Sequence, residues 1–230
     1  MAKPRRPLSE VHAVHDQVYA AIRDALLTGR IEPGRGVSLR TLAAELGVSP
    51  MPVRDAVRRL VAEHALVINQ SNKRLSAPSL TPSRLEQLAR ARDWIEPELA
   101  ARAAPAADEA LIDTLRRADD ALNRAIAYGD VHAYMAANHA FHFTLYQRAD
   151  AEVLLAMASG LWLQIGPFMR IVFNRLGAVN LTRDHHVEVM QALTAHDAEA
   201  ARAALAADIA VGMDALRATA LEGADLGGAA

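Results

Sequence analysis

Thr41-Leu-Ala-Ala-Glu-Leu-Gly-Val-Ser-Pro-Met-Pro-Val-Arg-Asp-Ala-Val-Arg-Arg-Leu60 decides the fold, because it sets two short helical patterns around one sharp turn and loads the second with arginine. Leu42, Ala43 and Leu46 form the apolar stripe of the first helix, and Gly47 can end it at positive φ. Val48 tucks beneath the turn. Ser49 reads as the cap of the second helix and Pro50 suits its first position, where a missing N–H costs nothing. Val53, Ala56, Val57 and Leu60 continue inward at helical spacing, which leaves Met51, Arg54, Asp55, Arg58 and Arg59 facing out. A helix start that carries arginines beside free backbone N–H groups suits a duplex major groove and its flanking phosphates.

The flanking segments extend this pattern. Upstream, Val18, Ile22, Ala25 and Leu26 make an amphipathic helix that stops at Gly29, and Ile31-Glu-Pro-Gly34 turns the chain into the two-helix unit. Downstream, Ala65-Leu-Val-Ile68 and Arg74-Leu-Ser-Ala77 flank Asn69-Gln-Ser-Asn-Lys73, the pattern of a short hairpin. Helix, helix-turn-helix and hairpin in that order make a winged helix. Through Gly29-x-Ile31-x-Pro33-Gly34, Leu42-Ala43-x-x-Leu46-Gly47-Val48-Ser49 and Pro52-Val53-Arg54, residues 14–80 resemble the GntR family of bacterial transcription regulators. The resemblance implies that Arg40 and Arg54 contact DNA. Ser49, Met51 and Arg58 lie beside them at the start and outer face of the recognition helix, and Lys73 and Arg74 would grip backbone or minor groove from the wing. Two departures from the family pattern, Pro50 where an arginine is usual and Lys73-Arg74 where the wing has a glycine, bear on the operator sequence rather than on the fold.

Charge divides the chain in the same place. Through Pro82, 12 Lys+Arg stand against 7 Asp+Glu, net +5; of the totals 25 and 27 this leaves 13 against 20, net −7. A basic head suits a polyanion, and the acidic remainder is poorly suited to lie along the same duplex. Absence of cysteine excludes disulfides and thiol chemistry. The basic N-terminus is followed by no apolar signal region, and no run of 18 apolar residues occurs, so a cytoplasmic protein without membrane contact is expected.

After Ser79-Leu-Thr-Pro82, a linker in which Thr81 caps the next helix, the periodicity is helical to the end. Helices are expected over 82–104, 108–127, 130–147, 151–175, 183–195 and 197–221, with breaks at Pro105, Gly129, Asp150, Gly177 and His196-Asp197. Pro97 and Pro167 fall inside two of them and are expected to kink them. The expected organisation is a flexible N-terminus over 1–13, a winged helix-turn-helix over 14–78, a linker over 79–82, an all-helical domain of about six helices over 83–221 and a disordered tail over 222–230. The fold class is mainly α. Through Arg92-Asp-Trp-Ile-Glu-Pro-Glu-Leu-Ala-Ala101, Asn138-x-x-Phe-His142 and His186-x-x-Val-Met-x-Ala-Leu193 followed by Asp197-x-x-x-Ala201, residues 82–217 resemble the FadR subfamily, whose C-terminal part is the FCD effector-binding bundle. Trp94, Trp162, Phe168 and Phe173, at helical spacings, read as core.

Asn138 and His142 are four apart and share a helix face, the spacing that lets two side chains converge on one ion. His186 precedes Val189 and Leu193 by three and seven residues, and Asp208 follows Leu205 by three, so both point inward. Such groups inside an apolar bundle are costly unless they hold a cation or pair with one another. The resemblance implies the first: FCD proteins often hold a divalent metal through an aspartate four residues before a histidine plus two later histidines. Here Asn138 stands for that aspartate and Asp208 for the last histidine, a set that suits zinc or nickel. A self-satisfied polar cluster is the alternative. Arg92 lies one turn before Glu96 and needs an anion, either Glu96 or Asp93 in a structural pair or the carboxylate of an effector.

His139-Ala-Phe-His142 lacks the spacing and the glutamate of a zinc protease, and no phosphate loop or nucleophile elbow occurs. The expectation is therefore a dimeric repressor that reads a palindromic double-stranded operator and senses a small organic acid. A helical metal-dependent hydrolase fused to a DNA-binding head, and an effector-independent architectural protein, are the rival classes.

Overall fold

The computed structural model describes residues 8–176 and 185–221, which form a winged-helix head and a helical body. In the head, α1 spans Leu8–Leu27, α2 Leu39–Glu45 and α3 Pro50–Ala62, followed by the strands β1 Val67–Ile68 and β2 Leu75–Ser76. Residues 8–13 are helical, continuous with the rest of α1. Gly29 and Gly47 both take left-handed φ (67° and 64°) where α1 and α2 end. Ser38 caps α2 by accepting from the Thr41 N–H. Ser49 has extended cap backbone, but its side chain makes no cap bond, so that part of the sequence reading is corrected. β1 and β2 pair antiparallel with Val67 opposite Ser76 and Ile68 opposite Leu75. Val37 exchanges two 2.8 Å backbone bonds with Leu75, tying the loop before α2 to the base of the wing.

The body follows in α4 (Pro82–Ala103), a 3₁₀ turn at Ala104–Ala106, α5 (Glu109–Tyr128), α6 (Val131–Gln147), α7 (Glu152–Leu176), α8 (His186–Thr194) and α9 (Ala198–Leu221). These six helices lie close to the expected bounds. Thr81, Asp108 and Asp130 cap α4, α5 and α6 through their side chains. The breaks at Gly129, Asp150 and His196 all take left-handed φ, while the expected break at Gly177 and the tail over 222–230 lie outside the described residues. Trp94 corrects the core expectation: it is 69% exposed, because the helix phase that buries Arg92, Ile95 and Glu96 turns the position between them outward.

Two apolar cores result. The body core runs from Leu80 to Leu216. The head core joins Val18, Ile22, Leu26, Leu42, Val53, Val57, Leu60 and Leu75 with one residue of the body, Leu163 of α7. That helix contains a stretch, Glu152–Phe173, long and apolar enough to cross a membrane, where no run of consecutive apolar residues had suggested one. Its apolarity has a packing cause, since α7 lies against α1, α4, α6 and α9 and serves both cores.

Candidate functional site

Two regions carry the chemistry. On the head, burial of Pro52, Val53, Ala56, Val57 and Leu60 turns Met51, Arg54 and Arg58 to solvent together with Ser49. Arg40 is exposed on α2, and among the described residues neither it nor Arg54 enters an ion pair. Arg58 lies 3.8 Å from Asp55. Arg59 is exposed, as the sequence reading has it, and packs along the surface of the head: its guanidinium sits 3.7 Å over the Tyr19 ring and its Nε is 3.1 Å from Glu63. In the wing, Asn69 Oδ1 accepts from the Ser71 and Asn72 N–H groups, which closes the turn. Lys73, where a glycine is usual, takes φ 55° itself. Lys73 and Arg74 are both exposed, with Arg74 Nε donating to the Gly36 carbonyl at 2.6 Å.

The second region is a small cleft inside the body, with a cavity of about 50 Å³ partly open to solvent, lined by Arg92, Met135, Asn138, His142, Trp162, Gly166, Met169 and Asp208 among others. His142 Nε2 lies 3.3 Å from Asp208 Oδ2, and His186 Nε2 lies 3.9 Å from Asp208 Oδ1. One donor atom from each of the three residues falls within 4.8 Å of the others. Asn138, the fourth expected ligand, lines the same cleft one turn before His142.

The hydrogen bonds behind these residues settle where their protons sit. Tyr146 Oη donates its single proton to Glu96 Oε2 at 2.5 Å, so at 3.0 Å it can only accept from His142 Nδ1. Asp119 Oδ1, 2.8 Å from His186 Nδ1, accepts in the same way. Both imidazoles therefore carry a proton on Nδ1 and turn Nε2 toward the Asp208 carboxylate. Burial pushes the His142 imidazole below its usual range, against the pull of Asp208, so it is neutral near pH 7. Burial opposes ionisation of Asp208, yet its carboxyl lies below the usual range, and its Oδ1 accepts from the His185 backbone N–H at 3.2 Å. The neutral His142 lone pair and the Asp208 anion repel unless a cation sits between them. Two imidazoles, each oriented from behind, and a carboxylate make a donor set that fits a divalent metal.

Arg92 is buried in a bidentate pair with Glu96 at 2.6 and 3.1 Å, so Glu96 rather than Asp93 is its partner. Its guanidinium lies 5.0 Å from the Trp162 ring centre, and Trp162 Nε1 donates to the same Glu96 at 3.0 Å. Burial opposes ionisation of Glu96, yet the charge of Arg92 and the bonds from Arg92 and Tyr146 hold its carboxyl below the usual range.

Asp119, Tyr146 and the hub role of Glu96 were missed from sequence. A signal existed for Asp119, a carboxylate placed four after Leu115 and three before Leu122 on the buried face of α5.

Comparison with known proteins adds to this geometry. Residues 87–211 match the family described as FCD domain, and residues 14–72 match bacterial regulatory proteins of the gntR family. The chain is 27% identical over 194 residues to the HTH-type transcriptional regulator McbR of Escherichia coli K12, covering 83% of this chain and 86% of that protein. It is 32% identical over 131 residues to an HTH-type transcriptional regulator of Agrobacterium vitis, covering 55% and 75%. Among solved structures, E. coli McbR/YncC superposes with a TM-score of 0.83 at 26% identity over 90% of this chain and 98% of that one. A putative GntR regulator from Rhodococcus shares the fold, with a TM-score of 0.69 at 20% identity over 89% and 97%.

Proposed function

The chain belongs to the gntR family of bacterial regulatory proteins with an FCD domain behind the DNA-binding head, and from that premise we propose that it is a cytoplasmic, dimeric repressor relieved by a small organic acid. Its general activity follows from the family: it is a DNA-binding transcriptional regulator with an effector-binding domain, not an enzyme. In our reading Arg40, Ser49, Met51, Arg54 and Arg58 read an operator half-site in the major groove, and Lys73 and Arg74 hold the flanking phosphates. Pairing of two bodies presents two heads to a palindrome.

The observation that carries the effector reading is the meeting of His142 Nε2, His186 Nε2 and Asp208 beside a cleft that His142, Asp208 and Arg92 line. These three residues, with Asn138 beside them, would hold zinc or nickel. The bound ion would supply a Lewis-acidic anchor for one end of a carboxylate. Arg92 also lines the cleft, with Nε and Nη2 committed to Glu96 and Nη1 left for a ligand oxygen.

The test measures binding of the purified chain to the DNA upstream of its own gene, with and without a panel of small organic acids, after reconstitution with zinc or nickel. Release of DNA by one or more acids, only from metal-loaded protein, is the expected result. DNA affinity indifferent to every acid and to the metal would remove the effector reading, and failure to bind any upstream DNA would remove the operator reading.

A further inference from the structure

We propose that α7 is the coupling element between the cleft and the DNA-binding head, with Gly166 as the residue through which one is felt at the other; this rests on the regulator reading above. Gly166 lines the cleft together with Trp162, Ile165 and Met169 of the same helix. The same residue meets the end of α1 so closely that an added Cβ would lie 3.0 Å from Leu27 Cα and 3.1 Å from the Leu26 and Leu27 carbonyl oxygens. Contacts of that length to backbone cannot be relieved by turning a side chain, so the glycine sets the distance between α7 and α1.

The neighbouring turns of α7 reach into the head as well. Leu163, 1% exposed, is a body residue buried in the head core. Ser159 bonds to Arg23 of α1. Arg170 packs on Gly29, where an added Cβ would lie 2.8 Å from Arg170 Cβ. On the cleft side Trp162 donates to Glu96, its ring lies 4.9 Å from that of His142, and Arg92 stands over it. Four successive turns of one helix therefore face the head, and three of them also wall the cleft.

The helix is soft in the middle of this stretch. Pro167 has no N–H to donate to the carbonyl four residues before it, and that carbonyl belongs to Leu163, the residue that enters the head core. A ligand that shifts Trp162 or Met169 thus moves the segment that seats the head, and a head fixed on DNA restrains the same segment. Coupling between two sites is reciprocal, so either direction can be read.

The chain has two tryptophans. In the full-length Trp94→Phe protein, Trp162 is the sole one and reports on the cleft. The probes are zinc alone and a duplex carrying the region upstream of the gene, with DNA binding followed separately by anisotropy of a labelled duplex. Bound DNA is expected to change Trp162 emission, as is bound zinc. Adding Gly166→Ala should keep the zinc response, remove the DNA response and change DNA affinity by about fivefold or more. Gly160→Ala, whose added Cβ meets nothing within 4 Å, should behave as the parent. DNA that binds the parent without moving Trp162 emission overturns the coupling while leaving the regulator reading intact, and this arm does not depend on either alanine variant folding. A Gly166→Ala protein indistinguishable from Gly160→Ala overturns it also. Absence of DNA binding by anisotropy overturns the regulator reading itself and the coupling with it.

Discussion

Glu96 is the most heavily used side chain in the body, fully buried and accepting from Arg92, Tyr146 and Trp162. Glu96→Gln leaves a buried guanidinium without its counter-charge and should cost about 3–5 kcal/mol in urea unfolding; a loss well under that range would mean the pair is not what holds these helices together. The sign with pH follows from the depressed carboxyl. Its contribution to stability is complete above the ordinary value of 4.5 and is lost as pH falls below that through the folded value, so Glu96→Gln should flatten the acid limb of stability against pH. For the metal reading, replacing His142 and His186 together by alanine should abolish metal uptake and weaken effector binding while sparing effector-free DNA binding. Elemental analysis of untagged protein checks this, and stoichiometric metal in the double variant would return the cluster to a self-satisfied polar group. On the head, Arg54→Ala should weaken operator binding by about 1–3 kcal/mol with fold unchanged, and an affinity within twofold of wild type would remove Arg54 from the interface. At this scale His142, His186, Asp208 and Arg92 were visible from spacing, because one element's phase decides which way a side chain points. Asp119 and Tyr146 gain their roles from partners on other helices, which spacing within one helix does not disclose.

Helix ends test how far residue type alone specifies an element. Thr81 accepts the Arg84 N–H at 3.2 Å and Ser38 the Thr41 N–H at 3.0 Å, whereas Ser49 has the backbone of a cap without the bond. Thr81→Ala and Ser38→Ala should each cost about 1 kcal/mol, and Ser49→Ala distinctly less in stability while still lowering DNA affinity. Equal losses at all three would show that Ser49 caps in solution. The wing is a second test. If Lys73 and Arg74 contact phosphate, each replacement by alanine should make the plot of log affinity against log salt shallower by about 0.9. Unchanged slopes in both would place the wing off the DNA. Helix bounds were legible because apolar phase, a Thr or Asp cap and a left-handed break agree at most boundaries; Arg59 points outward as its phase requires, while its contact with Tyr19 comes from α1, which spacing within α3 does not disclose.

Across the whole molecule the two cores are not independent, since Leu163 of the body completes the head. Leu163→Ala should cost about 2–5 kcal/mol. Hydrogen exchange should locate the loss in α1 and α3 rather than in α5 and α6, and loss confined to the body would break the link. The order of elements, the basic head before an acidic body and the family itself were all determined by the sequence alone. Each depends on periodicity, composition or contiguous motifs, which a chain carries whatever its final packing. Tertiary structure alone decided that Glu96 neutralises Arg92, that Asp119 and Tyr146 orient two imidazoles with Nε2 toward Asp208, and that Gly166 touches both the cleft and α1. Those facts are distances between residues far apart along the chain, set by how six helices of known phase pack against one another, and nothing local to any one of them encodes that distance.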